Sequence, residues 1–144
     1  MKQDVYAHQI RVRYSETDQM GVVYHANYLN WFEVGRTEFI RDTGITYRAL
    51  EEKGILLPVT DVGLSYKLPA RYDDWVEIRT RLEELSPVRL TFAYELYRRE
   101  DGQLLVSGWS KHAFTTTEMK PIRLSRAVPE VYALLQERCT RGRS

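Results

Sequence analysis

Two residues with reactive side chains, Asp18 and His25, flank one short corner of this chain. Alternating polar and apolar residues before the corner predict a strand, and apolar residues three and four apart after it predict a helix. A helix begins with backbone N–H groups that have no acceptor inside the helix. A carboxylate facing such donors can attack a carbonyl carbon, or activate water to do so, while the donors stabilise the oxyanion. The pattern therefore predicts an enzyme.

The elements that must position this corner are a first strand over Val5 to Tyr14 and a long helix over about Ala26 to Thr43. Tyr28, Phe32, Gly35 and Phe39 form the apolar stripe of that helix, with Leu29 and Ile40 beside it. Glycine in mid-helix is unfavourable relative to alanine. We therefore expect Gly35 to allow another backbone to come close.

After Gly54 the hydrophobic period changes to two, which is typical of strands. Strands are predicted at Ile55–Leu68 (with interruptions at Pro58 and Gly63), Trp75–Leu85, Val88–Arg98 and Gln103–Thr117, and further helices at Tyr47–Lys53 and from Pro129 onward. Tight turns between strands make neighbours antiparallel, and the long helix must bury its stripe against the sheet. The sequence thus predicts an α+β fold in one domain over residues 1–144: a curved antiparallel sheet around one long central helix, with a short C-terminal helix.

Composition excludes several classes of protein. The 144 residues carry a formal net charge of only +1, which argues against a nucleic-acid binder. The single cysteine, Cys139, cannot form an intramolecular disulfide. No apolar run is long enough to span a bilayer, and the N-terminus lacks the apolar stretch of a secretory signal. We expect a cytoplasmic protein.

The corner also resembles a known family. Residues Tyr14 to Arg36 contain Y-x-E-T-D-x-M-G-V-V-Y-H-x-N-Y followed by W-F-E-x-x-R. This is similar to the signature of the hotdog-fold acyl-CoA thioesterases, in particular the 4-hydroxybenzoyl-CoA thioesterase group and its small bacterial relatives. A second patch, Leu68 to Trp75, extends the resemblance. It implies a hotdog fold and hydrolysis of acyl-CoA thioesters to a free carboxylic acid and coenzyme A, with no metal or redox cofactor.

The resemblance also implies roles at the corner. Asp18 matches the catalytic carboxylate, as either the nucleophile or the general base, and the backbone N–H of His25 matches the donor that polarises the thioester carbonyl. The His25 imidazole could orient Asp18 or water, and the Tyr14 hydroxyl could reach the same corner. Glu16 would share a side with Asp18 in a continuing strand, so a carboxylate pair is conceivable, although a solvated loop residue is the simpler interpretation.

Substrate contacts are expected from the apolar loop and from scattered cations. The residues predicted to line the acyl pocket or bind substrate are Met20, Gly21, Val22, Val23, Tyr24, Trp31, Tyr66, Arg71 and Arg89. The 4-hydroxybenzoyl-CoA enzyme holds its nucleotide with consecutive basic residues at one turn, of which this chain has only Arg89. Lys67 is a further candidate for a phosphate.

Several alternatives remain open at this point. A hotdog hydratase or dehydratase would act beside the thioester, and a non-catalytic acyl-binding or scaffold protein would hold it without turnover. A metal site made of Asp18, His25 and His112 lacks specific ligand spacing. The acyl carrier is either coenzyme A or acyl carrier protein. An open sheet edge, together with the resemblance, predicts a homodimer or homotetramer.

Overall fold

The computed structural model describes residues 4–140. The strands are Val5–Arg11 (β1), Val59–Tyr66 (β2), Trp75–Leu85 (β3), Arg89–Arg98 (β4) and Leu104–Ala113 (β5), and the helices are Asn27–Asp42 (α1), Tyr47–Glu52 (α2), Leu124–Ala127 (α3) and Pro129–Arg138 (α4). The strands form one antiparallel sheet in the order β1-β3-β4-β5-β2. None of the helices within residues 4–140 is long and apolar enough to cross a membrane.

Helix α1 packs its apolar stripe on one face of this sheet, mainly against β1, β3 and β4. Phe32 stacks on Tyr94 of β4 with ring centroids 4.2 Å apart, and Phe39 meets Phe92 edge-on at 5.7 Å. A Cβ atom at Gly35 would overlap Thr80 Oγ1 and Ile78 Cγ2 of β3. The atoms that come close to Gly35 belong to side chains of the sheet and not to the backbone expected from the sequence, and the absence of a Cβ lets α1 lie this near the sheet.

The predicted elements are present, with shifts at their ends that have local causes. β1 ends at Arg11 rather than Tyr14, because the Val12 N–H leaves the ladder to donate to Asp74 O (2.9 Å) and Tyr14–Glu16 form a 3-10 turn. β2 begins after Pro58, which has no N–H to donate. β5 ends at Ala113, short of the predicted Thr117. Leu29, expected beside the buried stripe, is 40% exposed.

Candidate active site

A small hairpin carries Asp18. Its two arms run antiparallel, with Asp18 N–H donating to Val22 O (2.8 Å) and Tyr24 N–H donating to Glu16 O (2.9 Å). Gly21 closes the turn at φ +79°, a left-handed conformation that favours glycine. The Gly21 predicted from the motif is thus required for the shape of the loop, since it lets the chain reverse within four residues of Asp18.

The Asp18 carboxylate is anchored through one oxygen only. Oδ1 accepts the N–H of Met20 at 2.8 Å and that of Val22 at 3.4 Å. Within residues 4–140 the other oxygen, Oδ2, accepts no hydrogen bond, and the residue is half-buried. A carboxylate held in this way has a fixed orientation and a free lone pair, as either a nucleophile or a general base requires.

The start of α1 supplies unpaired donors beside this loop. Asn27 N–H donates to Tyr24 O (2.9 Å) and Tyr28 N–H to His25 O (3.3 Å), which closes the first turn. The backbone N–H of His25 donates to no acceptor within the described part of the chain, and no side chain caps the helix at Ala26. This N–H is therefore available to an external oxygen.

A groove of about 210 Å³ opens beside this donor. It is lined by Val23, His25, Tyr28, Tyr66, Lys67, Leu68 and Pro69. The Tyr66 hydroxyl donates to the His25 carbonyl at 3.2 Å, so the end of β2 is tied to the start of α1. His25 itself is exposed and its ring lies 4.6 Å from that of Tyr24. The groove places apolar walls on one side of the free N–H and a lysine at its end.

The second sequence patch, Leu68 to Trp75, forms the far wall of the site. Ala70 N–H donates to the Tyr28 hydroxyl (3.1 Å), and Val23 N–H donates to Ala70 O (2.8 Å). Arg98 holds the same loop through Pro69 O at 2.7 Å. Burial raises the pKa of Tyr28 above its ordinary value, so its hydroxyl stays protonated while accepting this bond. The structure therefore brings together two motifs that are about 50 residues apart.

Some predicted site residues are placed differently from the expectation. Tyr14 is 76% exposed and meets Tyr72 edge-on, and no hydrogen bond within residues 4–140 joins its hydroxyl to Asp18 or His25. Trp31 is only 2% exposed and its indole N–H donates to Glu16 Oε2 at 2.8 Å, so it belongs to the core, and its contribution to an acyl pocket stays a prediction. Glu16 is correspondingly not a solvated loop residue, since its side chain is 12% exposed.

The apolar loop divides into buried and exposed members. Val23 is in the core and half-buried Val22 pairs with Arg71 by an isolated bridge, whereas Met20 and Tyr24 are exposed by 78% and 50%. Exposed apolar side chains next to a reactive carboxylate can contact a ligand or a second chain. Their role in substrate binding stays a prediction.

The two predicted arginines lie in different places. Arg71 is exposed beside the Asp18 hairpin, where a cation can reach a phosphate. Arg89 begins β4, whereas the site lies at the other end of the sheet, a strand length of about 30 Å away. Within one chain the structure does not bring Arg89 to the Asp18 corner, and its role in substrate binding stays a prediction.

His112, the third residue of the hypothetical metal site, lies in the core. Its Nε2 contacts Ser110 Oγ at 2.7 Å and its Nδ1 contacts Leu57 O at 3.0 Å. Burial lowers the pKa of His112 to about 4. Ser110 and His112 are each 1% exposed, so this hydrogen-bonded pair is out of reach of a substrate. The structure does not bring His112 to Asp18 and His25.

Sequence reasoning missed Tyr28, Leu68 and Pro69 as groove residues. Tyr28 lies at the junction of the two motifs. The helical periodicity accounted for its apolar ring but gave no role to its hydroxyl. Leu68 and Pro69 were noted only as part of the second patch. A signal was present, because a proline shortly after a predicted strand indicates a loop.

Comparisons with known proteins identify the family. The model of the thioesterase-like superfamily matches residues 12–135. YneP of Bacillus subtilis (strain 168), a candidate acyl-CoA thioesterase, is 43% identical over 123 residues, covering 85% of this chain and 88% of that protein. The acyl-CoA thioester hydrolase YbgC of Escherichia coli O157:H7 is 31% identical over 119 residues, or 83% and 89%.

Solved structures agree. The crystal structure of the DHNA-CoA thioesterase from Staphylococcus aureus superposes with a TM-score of 0.86 and 37% identity, covering 92% of this chain and 91% of that one. This similarity confirms the hotdog fold predicted from the sequence, and the relatives confirm the predicted class of enzyme. The chain therefore belongs to the thioesterase-like superfamily.

Proposed function

We propose that this chain hydrolyses acyl-CoA thioesters to a free carboxylic acid and coenzyme A, with Asp18 as its reactive carboxylate. The observation that carries the proposal is that Asp18 Oδ2 accepts no hydrogen bond and the His25 N–H donates none within residues 4–140, on one hairpin and the helix that follows it. The names of relatives such as YbgC, an acyl-CoA thioester hydrolase, support the substrate class.

A thioester suits this geometry. Its carbonyl carbon is electrophilic because sulfur donates little resonance, and thiolate is a good leaving group. Asp18 either adds to the carbonyl carbon to give an anhydride that water then opens, or takes a proton from the water that adds. In both routes the carbonyl oxygen gains negative charge next to the His25 N–H, the C–S bond breaks, and the thiolate takes up a proton.

The groove is too small for the whole substrate. At about 210 Å³ it lies below the usual range for a small-molecule site of roughly 300 Å³ or more, so it suits the thioester and part of the acyl group. Lys67, which lines the groove, and Arg71, which is exposed beside the Asp18 hairpin, are the cations that we assign to the phosphates of coenzyme A. The remainder of the substrate would lie along the surface or against a second chain.

We propose that the second chain is another copy, joined along β2. The Tyr66 end of this edge strand contacts the start of α1, where its ring lies 5.6 Å from that of Tyr28, but Val59 and Val62 are 47% and 44% exposed on the inner face. Sheet edges with unpaired backbone groups tend to be covered or paired. A homodimer of this kind would set each groove at the boundary between protomers. A tetramer and a cytoplasmic location stay predictions.

The test is thiol release from a panel of acyl-CoAs by the parent protein and by Asp18→Asn. Asn keeps the shape and one acceptor oxygen but can neither attack nor act as a base. We expect kcat to fall by about two orders of magnitude or more, with KM nearly unchanged. The matched control is Glu118→Gln, which neutralises an exposed carboxylate in the loop after β5 and should leave kcat unchanged.

Three outcomes are distinguishable. Near-normal turnover by Asp18→Asn would refute the assignment of Asp18. Binding of acyl-CoA by the parent without thiol release would favour the non-catalytic alternative, and a changed acyl group with the thioester intact would indicate a hydratase or dehydratase. Cys139 is 4% exposed, and a Cys139→Ser control removes its contribution to a thiol-detection reagent.

A further inference from the structure

Glu16 connects the segment that carries Asp18 to helix α1. Its Oε2 accepts the indole N–H of Trp31 at 2.8 Å, and its Oε1 accepts the backbone N–H of Arg13 at 2.7 Å. Its backbone carbonyl accepts the Nδ2–H of Asn27 at 2.9 Å and the N–H of Tyr24 at 2.9 Å. One residue thus joins the strand side of the corner to both the hairpin's second arm and the first turns of the helix.

The environment of Glu16 suits an anchor better than a reactive group. Its side chain is 12% exposed, against 78% for the side chain of Arg13, whose Nε lies 3.7 Å from Oε1. Both carboxylate oxygens already accept a hydrogen bond, whereas Asp18 keeps one oxygen free. Hydrogen bonds to an ionised carboxylate are roughly twice as strong as those between neutral groups. Both oxygens of Glu16 are therefore engaged with the protein, which suits a role in holding the corner.

Trp31 makes this anchor rigid. It is 2% exposed, its ring lies edge-on to Tyr28 with centroids 5.1 Å apart, and it stands on the buried side of α1. Tyr28 in turn holds the loop at Ala70 that binds Val23. The chain of contacts runs from the helix core to both walls of the candidate site.

We propose that Glu16 is a positioning residue, whose bond to Trp31 sets the place of the Asp18 carboxylate relative to the His25 N–H. The inference rests on the proposed function, because it assigns a role in the same reaction. Asp18 follows Glu16 by two residues, and His25 follows directly after Tyr24, the residue hydrogen-bonded to Glu16. A shift of Glu16 against α1 therefore changes the separation of the two groups that must meet one thioester carbonyl.

The experiment compares Glu16→Ala, Glu16→Gln and Trp31→Phe with the parent, all assayed well below their unfolding temperatures. Ala removes both side-chain bonds, Gln keeps one acceptor oxygen, and Phe removes the indole donor while keeping an aromatic ring. We expect kcat to fall about 10- to 100-fold for Glu16→Ala, less for the other two, and KM to stay within about threefold. In the double variant, Trp31→Phe should add almost nothing to Glu16→Ala.

Matched controls separate positioning from general damage. Trp109→Phe changes an exposed tryptophan on the outer face of the sheet, and Glu33→Ala removes an exposed glutamate of α1, so both should keep the parent kcat. A kcat of Glu16→Gln as low as that of Asp18→Asn would make Glu16 itself the reactive carboxylate and overturn the proposal.

A second readout does not depend on activity. Amide hydrogen exchange at Met20 and Val22, whose N–H groups bind Asp18, should be faster in Glu16→Ala than in Glu33→Ala. If Glu16→Ala leaves both the exchange rates and kcat unchanged, the positioning role is overturned. If Glu16→Ala fails to fold, the same two measurements on Trp31→Phe decide the question. A parent that releases no thiol refutes the proposed function, while exchange still shows whether Glu16 orders the corner.

Discussion

Two acidic residues two positions apart are given different tasks by their hydrogen bonds. Glu16 uses both carboxylate oxygens to bind N–H donors of the protein, and Asp18 uses one. The sequence alone could not separate them, since either could have been the reactive member or both could have formed a pair. The difference arises from the 3-10 turn at Tyr14–Glu16, which ends the strand and directs Glu16 toward the helix.

A pair of variants at His25 isolates the backbone donor from the imidazole. Residues Tyr24 to Asn27 form a turn closed by a 2.9 Å hydrogen bond, and His25 occupies its second position, where proline is favoured. His25→Pro therefore removes the N–H with little strain, whereas His25→Ala keeps it. We expect His25→Pro to lower kcat by about 10²- to 10³-fold, the scale for losing one oxyanion donor, and His25→Ala to lower it much less.

Steady-state thiol release, with circular dichroism to verify folding, measures this difference. Equal and deep losses in both variants would instead mean that the imidazole is essential. Full activity of a folded His25→Pro would show that the donor lies elsewhere on the helix start.

At the scale of elements, a directional hydrogen-bond chain joins β4, β5 and the segment before β2. Tyr94 Oη and Ser110 Oγ are 2.6 Å apart, Ser110 Oγ and His112 Nε2 are 2.7 Å apart, and His112 Nδ1 lies 3.0 Å from Leu57 O. In neutral His112, Nδ1–H donates to Leu57 and Nε2 accepts from Ser110. Protonation of Nε2 would make it a donor, so the Ser110 hydroxyl would have to turn its own proton toward Tyr94, and it would place a positive charge close to that of Arg36.

This chain of hydrogen bonds predicts a pH-dependent stability. Burial lowers the pKa of folded His112 to about 4, whereas an unfolded histidine titrates near its ordinary value of 6.5. Between these values the unfolded chain binds a proton that the folded chain does not, so the free energy of unfolding falls as pH decreases. The full loss below pH 4 is about 3 kcal/mol. The free energy of unfolding, measured with urea at about pH 7 and at about pH 4.5, should show most of this loss.

The control for this prediction is His112→Asn, whose side-chain amide can still donate toward Leu57 but does not titrate. The variant should be less stable than the parent at neutral pH and should lose less stability on acidification. His8→Gln, on β1, should keep the pH dependence of the parent. A parent and a His112→Asn variant with the same pH dependence would contradict the role assigned to His112.

Periodicity predicted the elements that have a strict repeat, and failed where a loop contact decided the outcome. Strand β3 was predicted at its observed bounds, because Val76, Ile78 and Leu82 alternate with charged residues, and Gly35 indicated the close helix packing. The hydrogen bond that joins Trp31 to Glu16, fifteen residues earlier, was not predicted, because no local pattern encodes it. The groove depends on the loop after β2, so its shape needed three-dimensional information.

At the scale of the whole molecule, the two edge strands of the sheet differ in how far α1 covers their inner faces. β1 lies under α1, while the inner face of β2 is left exposed at Val59 and Val62. This difference predicts that two copies join along β2 and not along β1. Val62→Lys places a charge on the proposed contact, and Val5→Lys makes the same change on β1, where valine is 39% exposed.

Sedimentation velocity and thiol release on both variants test the proposed dimer. We expect the parent and Val5→Lys to sediment as dimers with equal activity, and Val62→Lys to sediment as a monomer with much reduced kcat/KM, because each groove then lacks its neighbour. Dissociation by Val5→Lys alone would move the interface to β1. A fully active monomer would refute the shared site.

The order of strands also has a consequence for how the chain acquires its structure. β3, β4 and β5 are sequence neighbours that pair as consecutive hairpins in the middle of the sheet, while β1 and β2 add to its two sides from distant parts of the chain. Closing a long loop costs chain entropy before the strands at its ends can make contacts. Hairpins between neighbouring strands therefore form faster than pairings between strands that are distant in sequence. We expect amides of β4 to be protected before those of Val22 to Tyr24 in pulse-labelled hydrogen exchange during refolding. The reactive corner, built between β1 and α1, would then be completed last, and a nascent chain would hold a sheet well before it could cleave a thioester.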